Sequence, residues 1–598
     1  MTSPDSPDLG WSDRQLRALS AIFATICEPT YDGETDRHAQ LAAAALTEVA
    51  EPLDLRQLRL ILDLFEAPVG VPGFSGLSAF SRLPLESREK LLRAWATSRL
   101  PQRRTFFQTV KRLGAFFAYA DPGLDVRNPR WSAMGYAMPD HEHPEPGPVA
   151  EAVIRPEARP LDLEFDADVV VVGSGAGGGV VAARLAEAGL GVVVVEAGPY
   201  VPESEMQRDE LDAFNRMYLD HAMTSTADLS VAILAGAAVG GGTLINWTTC
   251  FEPPAELRGD WTRRHGLEGF DGESTDADLA RLRLELGFAT PPSIGPKDQL
   301  ILDGAAALDW EAAPTERNAD GCTDCGACPF GCKRGAKRSG QTLHLANAAR
   351  HGARVLADAA VQRVDLSGGR ATGVSGTLST GRRFEVRARQ VVVAAGALRT
   401  PLVLRRSGLG HPGIGANLHL HPTAAIGARI PQRVDMWRGT MQAARSLEHV
   451  RDGILIESAP AHPGLLALAF PWDGSAAHSE LMRDIGHYAP LIGIVRDQDA
   501  GRVSLSRSGR ARIEYRLSER DAVTARKGLV ALARLARAGG ATRLVALGTP
   551  AAWHDVGASD ERSFEAYLRR LSSFDFAPNR GTLFSAHQMG TARAGGNE

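Results

Sequence analysis

Apolar residues recur at helical spacing through the first quarter of the chain; beyond it they gather into short runs punctuated by glycine. Ser12 and Gln15 have capping-box spacing, and Leu16, Leu19, Phe23 and Ile26 fall on one face of the helix that follows. A second helix is predicted after Asp54, burying Leu55, Leu58, Leu62 and Phe65. The stretch from Pro101 to Asp121 sets Arg103, Arg104, Lys111 and Arg112 among Phe106, Phe107, Phe116 and Phe117. A basic amphipathic helix of this kind lies on a membrane surface or, more often, packs on its own protein. Residues 1–158 therefore read as a helical region, and a proline-rich connector from His141 to Pro160 closes it.

From residue 159 the period changes. The apolar run Val169 to Val172 enters Gly173-Ser-Gly175-Ala-Gly177-Gly178, a helix-like stretch follows, and a second run, Val192 to Val195, ends in Glu196. Residues 159–255 read as strand, helix and strand followed by glycine-rich loops, and 256–298 as an insertion without a clear period. Residues 299–425 carry a cysteine cluster, a helix-like stretch from Thr342 to His351, and strands at Arg354–Leu356, Gln362–Asp365 and Val391–Val393. Residues 426–550 change character. A hairpin is predicted for Val503–Ser506 and Arg512–Tyr515 around Ser508-Gly509, and a helix from Ser518/Asp521 to Gly539-Gly540. That segment reads as a second, sheet-containing domain inserted into the first, to which 551–598 return. The fold class is α/β: a Rossmann-like nucleotide domain, an inserted α+β domain with an antiparallel sheet, and an N-terminal helical extension.

Composition narrows the classes. A chain of 598 residues, 44% hydrophobic and 23% charged, is ordinary for a multidomain globular protein. The net charge of −5 gives no sign of a nucleic-acid surface. Met1 to Gly10 lack the basic start and apolar core of a secretion signal. Val231 to Trp247 is broken by glycines and reads as a loop, not a membrane span. These features, with a cysteine usage that suits a reducing compartment, predict a cytoplasmic protein, with membrane association left to the basic helix.

Gly173, Gly175 and Gly178 occupy the three positions of a dinucleotide fingerprint. The first permits the tight turn, the second lets a pyrophosphate approach the backbone, and the third lets helix and strand pack closely. Glu196 stands roughly 20 residues on, where a carboxylate accepts from ribose hydroxyls. The motif alone does not separate FAD from NAD. Cys322-x2-Cys325-x2-Cys328-x3-Cys332 has the spacing of a bacterial ferredoxin loop, with Lys333 where proline is usual. Four thiolates also suit tetrahedral zinc, and disulfides or free thiols are the remaining readings. Lys333, Arg334, Lys337 and Arg338 would offset cluster charge, though such runs are more often solvated. Cys27 reads as a small core residue, and Cys250 has no partner at metal spacing. His419 and His421 alternate as on a strand, which would put both on one face. His587-Gln-Met-Gly590-Thr591 offers a base, although a lone histidine in such a place is usually a surface or capped core residue.

Two glycine-rich segments add a resemblance. Gly236-Ala-Ala-Val239-Gly240-Gly241-Gly242-Thr243-Leu-Ile245-Asn246 and Gly396-Ala-Leu-Arg-Thr400-Pro401 through Ser407-Gly408-Leu409-Gly410 resemble the two signatures of the glucose–methanol–choline flavoprotein oxidoreductases. The second matches throughout, and the first departs at Ala237. Asn417 with His419, His421 and Pro422 is similar to that family's following segment. Arg88-Glu-Lys90, Trp95, Asn128-Pro-Arg-Trp131, Gly135-Tyr136 and the cysteine cluster resemble the long-chain fatty alcohol oxidase branch, which carries a helical extension of this kind.

The resemblance implies FAD, held by Gly173, Gly175, Gly178, Glu196, Gly240, Gly241, Gly242, Thr243, Asn246, Val361 and Gly396. It implies that His587 takes the hydroxyl proton of an alcohol while flavin N5 takes the hydride, giving an aldehyde from a primary, long-chain alcohol. Electrons then pass to oxygen or another acceptor, and an iron–sulfur group at the four cysteines would favour the latter. Gly464 to Trp472 and the helical extension are expected to line the substrate path. A sugar or sterol alcohol dehydrogenase on the same scaffold is the enzymatic alternative. Ala594 stands where the family commonly has methionine, and Glu598 comes before the family's closing segment. A truncated, non-catalytic flavin-binding or electron-transfer protein is therefore the other alternative.

Overall fold

The computed structural model describes residues 10–67, 78–123, 127–138, 147–156, 163–207, 209–558 and 560–595. The expectations for Met1 to Gly10 and for the end at Glu598 fall largely or wholly outside these residues, as does half of the connector from His141 to Pro160.

The N-terminal helices form as their patterning dictates. Helix Asp13–Ile26 starts on the capping box, with Ser12 accepting from the Gln15 amide and the Gln15 side chain returning the bond, and Leu19, Phe23 and Ile26 are buried. Helix Pro52–Phe65 begins three residues earlier than predicted, because Pro52 is preorganised for a first helical turn. Helix Pro101–Ala120 buries Phe106, Phe107, Phe116 and Phe117, so its aromatic face belongs to the core and is not presented to solvent. Among the described residues no helix is long and apolar enough to cross a membrane.

A seven-stranded sheet follows in the order β1 (Val153–Ile154), β6 (Arg354–Leu356), β3 (Val192–Val195), β2 (Leu163–Val172), β9 (Arg383–Val393), β8 (Arg370–Leu378) and β7 (Ala359–Ser367). The first five strands are parallel. The end of β2 and all of β3 read as unbroken valine runs because both faces are covered: Val169 and Val171 face one apolar cluster, Val170 and Val172 the other. The short β1 emerges from within the predicted connector.

The second sheet runs β17 (Ala552–Asp555), β16 (Arg543–Ala546), β10 (Thr423–Arg429), β13 (Tyr488–Val495), β12 (Ile454–Ser458), β11 (Ala444–Ser446) and β5 (Ala312–Pro314), all antiparallel. Off this path, β18 (Leu583–Ser585) pairs with β10 and with β4 (Val231–Ile233). This sheet therefore takes strands from both sides of 426–550, and the start of Val231–Trp247 is a strand and not a loop. The predicted hairpin forms as β14 (Arg502–Leu505) with β15 (Ala511–Glu514). Helix Glu519–Ala538 is capped by Ser518, which accepts from the Asp521 amide. The insertion 256–298 holds helices Ala255–His265 and Glu273–Leu286; the latter buries nothing, which is why no period announced it.

Gly464–Trp472 forms a helix, Pro463–Ala469, whose Leu466, Ala467 and Phe470 are buried. Its ends are held by opposite charges. The Glu210 carboxylate accepts from the Gly464 and Leu465 amides at 2.7 and 2.8 Å, while Lys111 Nζ donates to the carbonyls of Leu468 and Phe470 at 2.8 and 2.6 Å. Gly464 lies so close to Ala120 and Phe116 that a Cβ there would come within 3.0 Å of both. The buried side of this segment is thus core beneath the helical extension, contrary to the expected role as a substrate-path lining.

Candidate functional site

The glycine turn at the end of β2 is built by backbone crowding. Gly173 has φ +99, and a Cβ there would lie 2.5 Å from the Ala394 carbonyl oxygen. A Cβ on Gly178 would come to 1.9 Å from the Gly173 oxygen, so helix Ala176–Glu187 can leave the turn only with glycine at that position. Gly177 faces open space.

Glu196 is buried and reaches back to this turn. One carboxylate oxygen accepts from the Ser174 amide at 2.9 Å and the Ser174 hydroxyl at 2.6 Å; the other accepts from the Gly198 amide at 3.0 Å. Ser174 Oγ in turn accepts from the Gly240 amide at 2.9 Å. Burial raises the Glu196 pKa despite these donors. The carboxylate expected to await a ribose therefore also ties the first glycine turn to the second.

In that second loop Gly240 and Gly241 have φ +99 and +56, and a Cβ on Gly241 would lie 2.8 Å from Gly175 Cα. Thr243 Oγ1 donates to the Gly240 carbonyl and accepts from the Gly340 amide. Gly242 faces open space, as does Gly396, which opens helix Gly396–Arg406. Asn246 is exposed just after the short helix Gly242–Ile245. Val361 lies on β7 beside an irregularity in its pairing with β8, its side chain in the apolar cluster, which leaves only its backbone for a ligand.

The segment after β18 sits between the two signature loops. Leu234, which follows β4, donates its amide to the Ser585 carbonyl, and Gln588 Nε2 donates to the Leu234 carbonyl. Thr591 Oγ1 donates to Ala397 O at the start of the second signature. Met589 and His419 exchange both backbone hydrogen bonds. His587 is thereby held with its ring exposed, facing His421 edge to face at 5.8 Å between centroids. Burial against the surrounding protein, together with His421, lowers the His587 pKa.

His419 and His421 do not share a strand face. They precede β10, and His421 has φ +47, which turns the two rings apart. His419 lies 3.6 Å from the buried Asp497 carboxylate, which raises its pKa. Asp497 also accepts from the Leu420 and His421 amides at 3.0 and 3.2 Å. It thus fixes the backbone that presents His421, whose own pKa burial lowers. No local spacing in the sequence announces Asp497; only the fold brings it to this segment.

The four clustered cysteines line one cleft with Arg317 and Lys337. Lys337, expected in a solvated run, is buried: its Nζ donates to the carbonyls of Leu244, Asn246 and Cys328 at 2.8, 2.6 and 2.8 Å. All six cysteines are free. Burial raises the thiol pKa of Cys27 to about 12 and of Cys250 to about 11, as inert core thiols. Among the described residues no three His, Cys, Asp or Glu side chains converge closely enough to hold one metal ion.

Comparison with known proteins agrees with this geometry. The family described as GMC oxidoreductase matches residues 214–423. A long-chain-alcohol oxidase of Arabidopsis thaliana, FAO4A, is 28% identical over 86% of this chain and 79% of its own. A GMC-type oxidoreductase of Mycobacterium tuberculosis, Rv0492c, is 37% identical over 72% of this chain and 68% of its own. Among solved structures, an Aspergillus oryzae formate oxidase studied for FAD modification superposes with a TM-score of 0.52 at 14% identity, covering 73% of this chain and 90% of that one. The open faces of Gly177, Gly242 and Gly396 and the crowded turn at Gly173–Gly178 fit a dinucleotide lying across both signature loops. The chain belongs to the GMC oxidoreductase family and is an FAD-dependent oxidoreductase acting on CH–OH groups.

Proposed function

We propose that this protein oxidises a primary long-chain alcohol to its aldehyde, with His587 as the base that takes the hydroxyl proton. The observation that carries the reading is the seat of His587. It is pinned to β4, which leads into one signature loop, and to the Ala397 carbonyl of the other, with its ring exposed. FAD, held by the turn Gly173–Gly178, Glu196, Gly240–Thr243, Asn246, Gly396 and the Val361 backbone, supplies the hydride acceptor. The lowered pKa keeps the His587 ring neutral near pH 7, so a ring nitrogen has a lone pair for the proton. His421, neutral for the same reason, adds no positive charge against the imidazolium that forms. The long-chain preference rests on the similarity to long-chain-alcohol oxidases over most of the chain, and oxygen as the final acceptor on the same relatives.

The test is anaerobic mixing of the flavin-loaded protein with dodecanol, glucose and cholesterol in turn. Dodecanol is expected to bleach the flavin absorbance and yield dodecanal, and His587→Gln to slow the bleaching while retaining FAD. Bleaching by glucose or cholesterol but not by dodecanol overturns the substrate class. Full-rate bleaching in the variant overturns the base.

A further inference from the structure

We infer that Cys322, Cys325, Cys328 and Cys332 form the seat of one [4Fe–4S] cluster, beside the loop that ends at Asn246. The spacing is that of a ferredoxin loop, whose fourth cysteine serves a second cluster where two are present. Here there is one set, and the fourth cysteine lines the same cleft as the other three, so all four thiols are available to one core. Every one of them is free, which leaves no disulfide to account for the clustering. Tetrahedral zinc would draw four sulfurs to about 2.3 Å from one point. Among the described residues no three such side chains are grouped to hold a single ion, whereas a cubane spreads its thiolates over four irons.

The surroundings are built for negative charge. Arg317 and Lys337 are each 2% exposed and both line the cleft. The Arg317 guanidinium lies 3.7 Å from Cys322 Sγ, and its nearest carboxylate oxygen, on Asp324, is at 3.8 Å. The Lys337 ammonium has three carbonyl acceptors, among them Cys328 O. Two buried cations with so little carboxylate beside them call for an anionic partner, and a thiolate-ligated cluster is one. Backbone amides already point at the sulfurs: Asp324 N–H at Cys322 and Lys337 N–H at Cys332, each at 3.4 Å. Through Lys337 the cysteine loop and the glycine loop share one buried charge, since the ammonium bridges Cys328 O to the Leu244 and Asn246 carbonyls.

The test uses the whole flavoprotein purified without oxygen, with extracted FAD measured separately from metal. Expected are about four irons and four acid-labile sulfides per chain. Absorption beyond the flavin bands should bleach with dithionite, and an electron paramagnetic resonance signal should appear on reduction. Cys325→Ser and Cys328→Ser should each lose most of the iron and sulfide, and Cys27→Ser should keep both. Less than one iron per chain, even after incubation with ferrous iron and sulfide, overturns the assignment. So does stoichiometric zinc, or four freely titrating thiols in the metal-free native protein. Should the serine variants fail to fold, metal and sulfide analysis of the unaltered protein decides alone. FAD content is read independently, so loss of the cluster reading leaves the flavin reading intact.

Discussion

Replacing Glu196 by glutamine tests whether the junction of the two glycine loops is an electrostatic clamp. The carboxylate accepts three bonds, two from Ser174 on one oxygen and one from the Gly198 amide on the other. An amide has only one oxygen. Its less costly orientation keeps that oxygen on Ser174 and turns the NH2 toward the Gly198 N–H, donor against donor. Leaving that buried amide unsatisfied costs about 1–3 kcal/mol, and the two surviving bonds drop from charged to neutral acceptors at about 1 kcal/mol each. Against this stands the relief of removing a buried charge, whose cost shows in the raised pKa, so the net loss falls below the sum of the first two terms, to about 2–4 kcal/mol. Because Ser174 also accepts from the Gly240 amide, the loss disorders both loops, and FAD must restore that order on binding. Titrating FAD into flavin-stripped protein should therefore show an affinity about 30-fold weaker or more. An E196Q protein binding FAD within twofold of the unaltered protein would refute the clamp.

Gly178→Ala places a methyl 1.9 Å from the Gly173 oxygen, and the purified protein should be colourless, with FAD content near zero. His587→Gln should lower kcat by about 10²- to 10⁴-fold with FAD content unchanged, and the acid limb of the unaltered enzyme's rate profile should fall below pH 6.5, where an ordinary histidine titrates. Glu210 is buried, and its pKa rises from 4.5 to about 7. Between those values the folded state holds a proton that the unfolded state has released, so stability should fall by up to about 3 kcal/mol as pH rises from 4.5 to 7; urea unfolding of Glu210→Gln should lack that slope. Lys111→Met strands the carbonyls of Leu468 and Phe470 but also removes an ammonium whose pKa burial lowers to about 7, so the stability lost in the same assay should be larger above pH 7 than below it, with flavin content unchanged.

What was legible in the sequence was whatever a short window controls. The Ser12 capping box, the valine runs of β2 and β3 and the crowding at Gly178 each depend on neighbours within a few residues or on backbone sterics. The Glu273–Leu286 helix escaped because it buries no face and so carries no period. Val231–Ile233 reads as loop because glycines break the stretch that follows it, and the partner that makes it a strand, Leu583–Ser585, lies some 350 residues away. The site repeats this division. Its glycines could be placed from spacing alone, but what each charged group does depends on groups far along the chain. The run of Lys333, Arg334, Lys337 and Arg338 reads equally as offsetting cluster charge or as solvated, and only the fold shows the Lys337 ammonium buried against a carbonyl of the glycine loop some 90 residues earlier. His419 and His421 were paired by strand alternation, yet a left-handed backbone at His421 sends one ring toward Asp497 and the other toward His587. A left-handed residue that is not glycine leaves no mark in the sequence, because its strain is borne by distant contacts, here the Asp497 carboxylate holding the Leu420 and His421 amides. The chemistry of this protein is therefore least legible where its backbone is most constrained. Removing Asp497 should disturb His421, and through it His587, before it disturbs the fold.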